Sequence, residues 1–190
     1  MFIVNFFKHL LKDVIMNFRS RLVITKIVTK NDNLKLGLNL SIMGYEHIKF
    51  GKNCVIGNNN NIHSDKNSYI QIGDYSATNN NVYISSRGGG KIIIGKNVII
   101  APNVVIRSNN HNFHSLEIPI QKQGISYGEI FIEDDVWIAA NCVILPNVKI
   151  GKGSIIGGGS VVTKDVDLYS IMGGVPAKKI GSRINDEKTN

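Results

Sequence analysis

Two histidines, His111 and His114, stand three residues apart in the polar stretch Arg107-Ser-Asn-Asn-His111-Asn-Phe-His114-Ser. A neutral imidazole, with a pKa near 6.5, can take a proton from a weak nucleophile near neutral pH. An alcohol is such a nucleophile, so this pair could let a hydroxyl attack an activated carbonyl. The plainer reading is a pair of loop histidines that only hydrogen-bond. Three imidazoles would suit a catalytic zinc, but His47 and His63 lie far upstream of the pair. Two cysteines, Cys54 and Cys142, make no disulfide framework in 190 residues. No Ser-His-Asp constellation is legible.

The elements that hold the pair are written in a repeat. From Ile132 an aliphatic residue returns every six positions, through Ile138, Ile144, Ile150 and Ile156 to Val162. Upstream the same register runs in triplets: Phe50, Ile56, Ile62; then Ile72, Thr78, Ile84; then Ile94, Ile100, Ile106. Only Thr78 departs from large and apolar. A glycine or alanine follows directly at Gly51, Gly57, Gly73, Gly95, Ala101, Ala139, Gly151 and Gly157. Four residues after the aliphatic comes a small or β-branched side chain, among them Cys54, Ser76, Val98, Val136 and Cys142. Helical periodicity fails here, and a six-residue period suits a short strand plus a corner, as in a parallel β-helix. Corners need left-handed backbone, which Gly and Asn supply at least cost; the chain holds 19 Gly and 23 Asn.

The interruptions give the cross-section. Ile62 to Ile72 and Ile84 to Ile94 each span four residues more than a hexad, and Ile106 to Ile132 spans 20 more. Each insertion follows a third hexad. Five three-sided coils with every loop at one corner account for this, a prism about 24 Å tall at ~4.8 Å per coil. The long insertion, residues 107–131, carries His111 and His114. A rigid scaffold with a long loop is a common way to present catalytic groups.

These hexads, the long loop after the third coil, Val136-Trp137-Ile138 and the tail Gly174-Val175-Pro176-Ala177-Lys178 resemble the hexapeptide-repeat acyltransferases. Within them the chain is most similar to bacterial capsule and lipopolysaccharide O-acetyltransferases, and over about residues 72–180 to maltose and galactoside acetyltransferases. The resemblance implies an all-β, left-handed parallel β-helix, a homotrimer and acetyl-coenzyme A as co-substrate. It implies direct acetyl transfer to a hydroxyl of a bacterial surface-glycan sugar, with His111 as general base. His114 is expected to position the loop or touch the acceptor. Ala140 and Gly158 match residues lining the pantetheine arm. Thr163, Lys164 and Lys178 match positions around the nucleotide and its phosphates; alone, each lysine reads as a solvated charge. Trp137 should point outward, as a wall of the acceptor or pantetheine site or as subunit packing. Asn79 matches a substrate-contacting asparagine, or serves a corner. Where the galactoside enzymes carry paired acids, this chain has Ser86-Arg87 before Gly88-Gly89-Gly90. Arg87 is therefore expected to read an anionic acceptor. Gamma-class carbonic anhydrases share the fold and bind zinc through three histidines. The three-residue spacing here departs from theirs, so no metal is expected. The alternatives are N-acetylation of an amino nucleotide sugar and a non-catalytic scaffold.

Composition fits one domain: 43% apolar and 19% charged, with no run long enough to span a membrane and no signal-peptide cleavage pattern. A cytoplasmic protein is expected. Net charge is +8, but residues 1–30 carry six basic residues and one acid, so the remainder is nearly balanced and no nucleic-acid partner is expected. Ile3, Phe6, Phe7, Leu10, Leu11, Val14, Ile15 and Phe18 follow helical spacing. This amphipathic segment either packs on the prism or a neighbouring subunit, the favoured reading, or lies on an anionic membrane surface. The expected organisation is the helical segment 1–30, the β-helix 31–167 and a C-terminal tail 168–190.

Overall fold

The structure, a computed structural model, describes residues 33–184. The expected helix in residues 1–30 lies outside the described residues.

The hexad register builds three faces of parallel strands. The first face stacks Lys35–Leu36, Val55–Ile56, Ala77–Thr78, Ile99–Ile100, Trp137–Ile138, Ile155–Ile156 and Ser170–Gly173. The second stacks Ser41–Met43, Asn61–His63, Tyr83–Ser85, Val105–Arg107, Val143–Ile144 and Val161–Val162. The third stacks Ile48–Phe50, Tyr69–Ile72, Lys91–Ile94, Glu129–Ile132 and Val148–Ile150. Hexad positions pair with hexad positions throughout, as in Ile94 with Ile132 and Ile132 with Ile150. The fold is a left-handed parallel β-helix of about six turns. The extra turn is residues 35–43, where Leu36 and Ile42 keep the six-residue spacing with Gly37 in the usual small position; the register slips after Ile42, since Phe50 follows eight residues later.

Burial explains the two inward positions per hexad. Ile84, Ile94, Ile106, Ile138 and Ile144 are fully buried, and so are the small partners Cys54, Val98, Cys142 and Ser154. Each buried isoleucine contributes about 1.5–3 kcal/mol relative to exposure. Both thiols are packing residues whose pKa is raised chiefly by burial. The residue after each aliphatic must be small because the turns stack tightly: a Cβ on Gly73 would sit 2.5 Å from the Gly95 carbonyl oxygen. Asn53, Asn59, Asn81, Asn97, Asn103 and Asn141 take the left-handed corner positions, with φ between 56° and 62°. Their amides form ladders, Asn81 Nδ2 to Asn103 Oδ1 at 3.2 Å and Asn103 Nδ2 to Asn141 Oδ1 at 3.1 Å. Tyr75 and Tyr169 occupy the same backbone position without an asparagine's local help.

Thr78 has a reason to break the aliphatic column. Buried Asn60 donates Nδ2 to Thr78 Oγ1 at 2.6 Å, and its Oδ1 accepts the Val82 N–H at 2.7 Å. The hydroxyl satisfies an amide that would otherwise be buried without an acceptor.

All three insertions leave from the edge between the second and third faces, called here the loop edge. The opposite end of each second-face strand is the edge shared with the first face. The C-terminal strand Lys178–Ser182 turns back antiparallel on Ser170–Gly173, and Ala177 N–H donates to the Val161 oxygen at 2.8 Å.

Candidate active site

At the loop edge, residues 109–127 form a hairpin. Asn109–His111 pairs antiparallel with Ile125–Tyr127, and His111 lies opposite Ile125. The hairpin is pinned at both ends. At its base Gly128 N–H donates to the Ser108 oxygen at 2.7 Å, and the Ser108 hydroxyl reaches that of Ser86 at 3.1 Å. At its tip Gln123 Nε2 donates to the carbonyls of Ser115 and Ile118, at 2.8 and 2.9 Å. Asn112 donates to the Gln123 carbonyl at 3.1 Å. A 20-residue excess thus becomes an ordered platform for two imidazoles.

His111 and His114 both face a groove of about 210 Å³ under the hairpin. Its other walls include Ser126, Leu145, Pro146, Asn147 and Thr163. His111 and His114 are solvent-exposed, and the His114 ring leans on Phe113 at 4.8 Å between centroids. The structure therefore brings His111, His114 and Thr163 together, with Lys164 next in the chain. Leu145 and Pro146 were not singled out from the sequence. Leu145 left a signal: it stands directly after Ile144, where most hexads of the other two faces carry Gly or Ala.

One turn from the hairpin base, Arg87 tops the short loop Ser86–Gly90. This loop is clamped beneath the hairpin. The Tyr127 ring lies so close over Gly88 that a Cβ there would overlap it, and the Ser108 hydroxyl would overlap one on Gly90. Gly88 and Gly89 also have φ of 80° and 131°. Asp65 accepts the Gly88 N–H at 2.8 Å. Its pKa is low despite some desolvation, through hydrogen bonds from Gly88, Ser68 and Asn67 and the charge of Arg87. His63, half-buried on the second face, has its Nε2 3.0 Å from the Ser41 hydroxyl. Burial, then the Arg87 charge, pushes its pKa down.

The other expected site residues lie elsewhere. Asn79, Ala140, Gly158 and the start of the Lys178 strand sit at the opposite edge of the second face. Gly159 N–H donates to the Ala140 oxygen at 2.9 Å, and a Cβ on Gly158 would meet only that oxygen, at 3.4 Å. The open backbone there can take a thin flexible chain. Asn79 is exposed and accepts the Asn80 N–H through Oδ1 at 2.8 Å, a corner contact. Trp137 points outward as expected, 47% exposed, but from the first face between Ile99 and Ile155. In one chain it does not adjoin the histidine loop. Among the described residues no three His, Cys, Asp or Glu side chains converge as a metal site.

A larger groove of about 860 Å³ runs along the third face past Ile93, Phe131, Lys49 and Lys149. It contains no histidine, serine or cysteine. The smaller groove is the candidate because the imidazoles are there; of the carboxylates in the larger one, Asp74 and Glu133 are already engaged by lysines.

Residues 129–164 match the family described as bacterial transferase hexapeptide (six repeats). A hexapeptide-repeat containing acetyltransferase of Vibrio cholerae is 30% identical, covering 78% of this chain and 73% of that one with a TM-score of 0.52. The chain belongs to the hexapeptide-repeat transferases. That Vibrio family member has also been solved with acetyl-coenzyme A. An N-acyltransferase of Bacillus cereus, solved with dTDP-4-amino-4,6-dideoxyglucose and coenzyme A, is 26% identical. It covers 81% of this chain and 83% of its own at a TM-score of 0.71. The galactoside O-acetyltransferase of Escherichia coli is 37% identical over 132 residues, 66% of this chain and 56% of that protein. The matches span between 29% and 57% of the length of the curated relatives.

Proposed function

We propose that this protein transfers acetyl from acetyl-coenzyme A to a sugar hydroxyl, with His111 as general base. The observation that carries the reading is the ordered hairpin holding His111 and His114 over a groove that Thr163 closes. His111 accepts the proton of the acceptor hydroxyl as its oxygen attacks the thioester carbonyl. His114 lines the same groove and contacts the acceptor or holds the loop. The carbonyl oxygen becomes an oxyanion, which needs a positioned donor; one such donor is typically worth about 3–4 kcal/mol. Its collapse breaks the C–S bond, leaving the acetyl ester on the sugar, and the coenzyme A thiolate departs and takes the proton that His111 holds. Thr163 and Lys164 lie on the cofactor side of the groove, where a lysine suits phosphate as a point charge. The similarity to an Escherichia coli galactoside O-acetyltransferase supports the hydroxyl acceptor.

The active unit in this reading is a homotrimer. Ala140, Gly158 and Lys178 lie at one edge of the second face, and His111 and Thr163 at the other. Packing one edge against the other edge of a neighbouring subunit would complete the site. The hairpin also exposes Phe113 (61%) and Leu116 (100%), more apolar surface than an isolated loop usually presents. The chain is proposed to act in the cytoplasm. Among the described residues no helix is long and apolar enough to cross a membrane.

A second reading, transfer to an amino sugar, is favoured by the likeness to the Bacillus cereus N-acyltransferase. A thiol-release assay with acetyl-coenzyme A and a panel of hydroxyl and amino sugars tests both. Release with hydroxyl sugars is expected; release with amino sugars alone would select the second reading. Failure to bind acetyl-coenzyme A would remove both.

A further inference from the structure

The loop edge holds a second arginine that the transfer chemistry does not use. Arg107 ends its second-face strand directly in register with Ser85, which is in register with His63. Its Nε donates to Asn109 Oδ1 at 2.6 Å. Asn109, 6% exposed, turns its Nδ2 to the Arg87 carbonyl oxygen at 3.4 Å. One buried amide therefore joins the two arginine-bearing segments. The Nε bond leaves the terminal guanidinium nitrogens of Arg107 without a partner among the described residues. The Arg87 guanidinium makes no hydrogen bond or ion pair there either, and both residues are solvent-exposed.

The one nearby acid does not neutralise them. Asp65 is engaged by the Gly88 N–H at 2.8 Å and the Asn67 N–H at 3.1 Å, and forms no ion pair with Arg87 within 4 Å. The two cations thus belong to adjacent turns, which are ~5 Å apart along the stack, and Arg107 is the anchored one. Guanidinium groups suit carboxylate and phosphate because they offer planar, paired donors. Holding one by Nε restricts its rotation, which lowers the ordering cost on binding. Asn109 precedes His111 by two residues of extended strand, about 7 Å; the arginines do not line the His111 groove themselves but stand on the turns that lie away from Thr163.

We propose that Arg107 and Arg87, joined through Asn109, form an anion-binding subsite that seats a carboxylate or phosphate of the acceptor beside His111. This rests on the acetyl-transfer reading only for the word acceptor; the anion site itself is independent of it. Arg107 and Arg87 touch the ligand, and Asn109 is a positioning residue.

The test is calorimetric binding, without acetyl-coenzyme A, of three probes to the full chain: glucuronate, uridine diphosphate glucose and methyl glucoside. The wild type should bind at least one anionic probe ten-fold or more tighter than methyl glucoside, and which one identifies the anion. Arg107→Gln and Arg87→Gln should each weaken that probe about ten-fold and leave the neutral probe within two-fold. Asn109→Ala should weaken it too, and should add little on top of Arg107→Gln. With turnover, the same variants should raise KM for anionic acceptors and leave kcat nearly unchanged, a split that a merely misfolded hairpin would not give. The proposal is overturned if neither anionic probe binds preferentially, or if the arginine variants change anionic and neutral probes alike. Separate calorimetry with acetyl-coenzyme A shows whether the transfer reading stands, whatever the probes do.

Discussion

Gly88→Ala should damage the histidine hairpin through Tyr127, and the size of the damage can be divided. Gly88 has φ of 80°, a conformation costing about 1–2 kcal/mol for a residue with a Cβ. The added methyl also overlaps the Tyr127 ring. Overpacking of that kind typically costs about 1–3 kcal/mol. Total destabilisation should therefore be about 2–5 kcal/mol, or a fall in Tm of about 4–20 °C at this chain length. Tyr127 is 47% exposed, so its ring can move, but its strand pairs with the strand of His111. Displacing it by even 1 Å should lower kcat, by as much as ~100-fold. In a Tyr127→Ala background the overlap is gone and only the backbone cost should remain. Urea denaturation of the two single variants and the double variant yields a coupling energy, expected at about 1–3 kcal/mol. Additive effects within about 0.5 kcal/mol would refute the clamp.

Three further outcomes follow from the same geometry. Thr78→Val keeps the shape but leaves the Asn60 amide without its acceptor, and should cost about 1–3 kcal/mol by chemical denaturation; Thr78→Ser should recover most of it. Asn103→Gly should be less destabilising than Asn103→Ala, because φ of 61° suits glycine while both lose the same ladder bonds; a reversed order in Tm would contradict the corner assignment. His63 has a depressed pKa, so its neutral form is favoured in the folded state. Its contribution to stability is complete above the unfolded value near 6.5 and is lost as pH falls through the lower folded value. Arg87→Gln removes a like charge and should raise the His63 pKa in an NMR titration; an unchanged value would separate the two residues.

The β-helix was legible because every turn repeats the same demand: one large and one small inward side chain, and a left-handed corner. Six-residue spacing reports that directly, and the loop lengths reported the common edge. The first turn was less legible because it keeps only two regular hexad positions, Leu36 and Ile42, before the step of eight residues to Phe50 breaks the spacing. Thr78 read as an exception because its partner, Asn60, is adjacent only after a full turn. The placement of His111 in a protruding loop was visible. That it shares a groove with Leu145, Pro146 and Thr163 was not, since the hairpin folds over later turns and nothing in a linear repeat states which. Trp137 was correctly outward, but its face could be assigned only once its stack with Ile99 and Ile155 was seen. Arg107 and Asn109 escaped notice because a strand-end arginine and a second asparagine look ordinary until one amide is found to hold both segments.

In the proposed reaction His111 moves the acceptor proton. Its most direct test is acetyl-coenzyme A turnover, read as acceptor-dependent thiol release, for wild type, His111→Ala and His114→Ala, with acetyl-coenzyme A affinity measured in parallel. The account predicts a fall of about 10²–10⁴-fold in kcat for His111→Ala at unchanged cofactor affinity, and a smaller effect for His114→Ala. Undiminished release by His111→Ala would contradict it and move the role to His114.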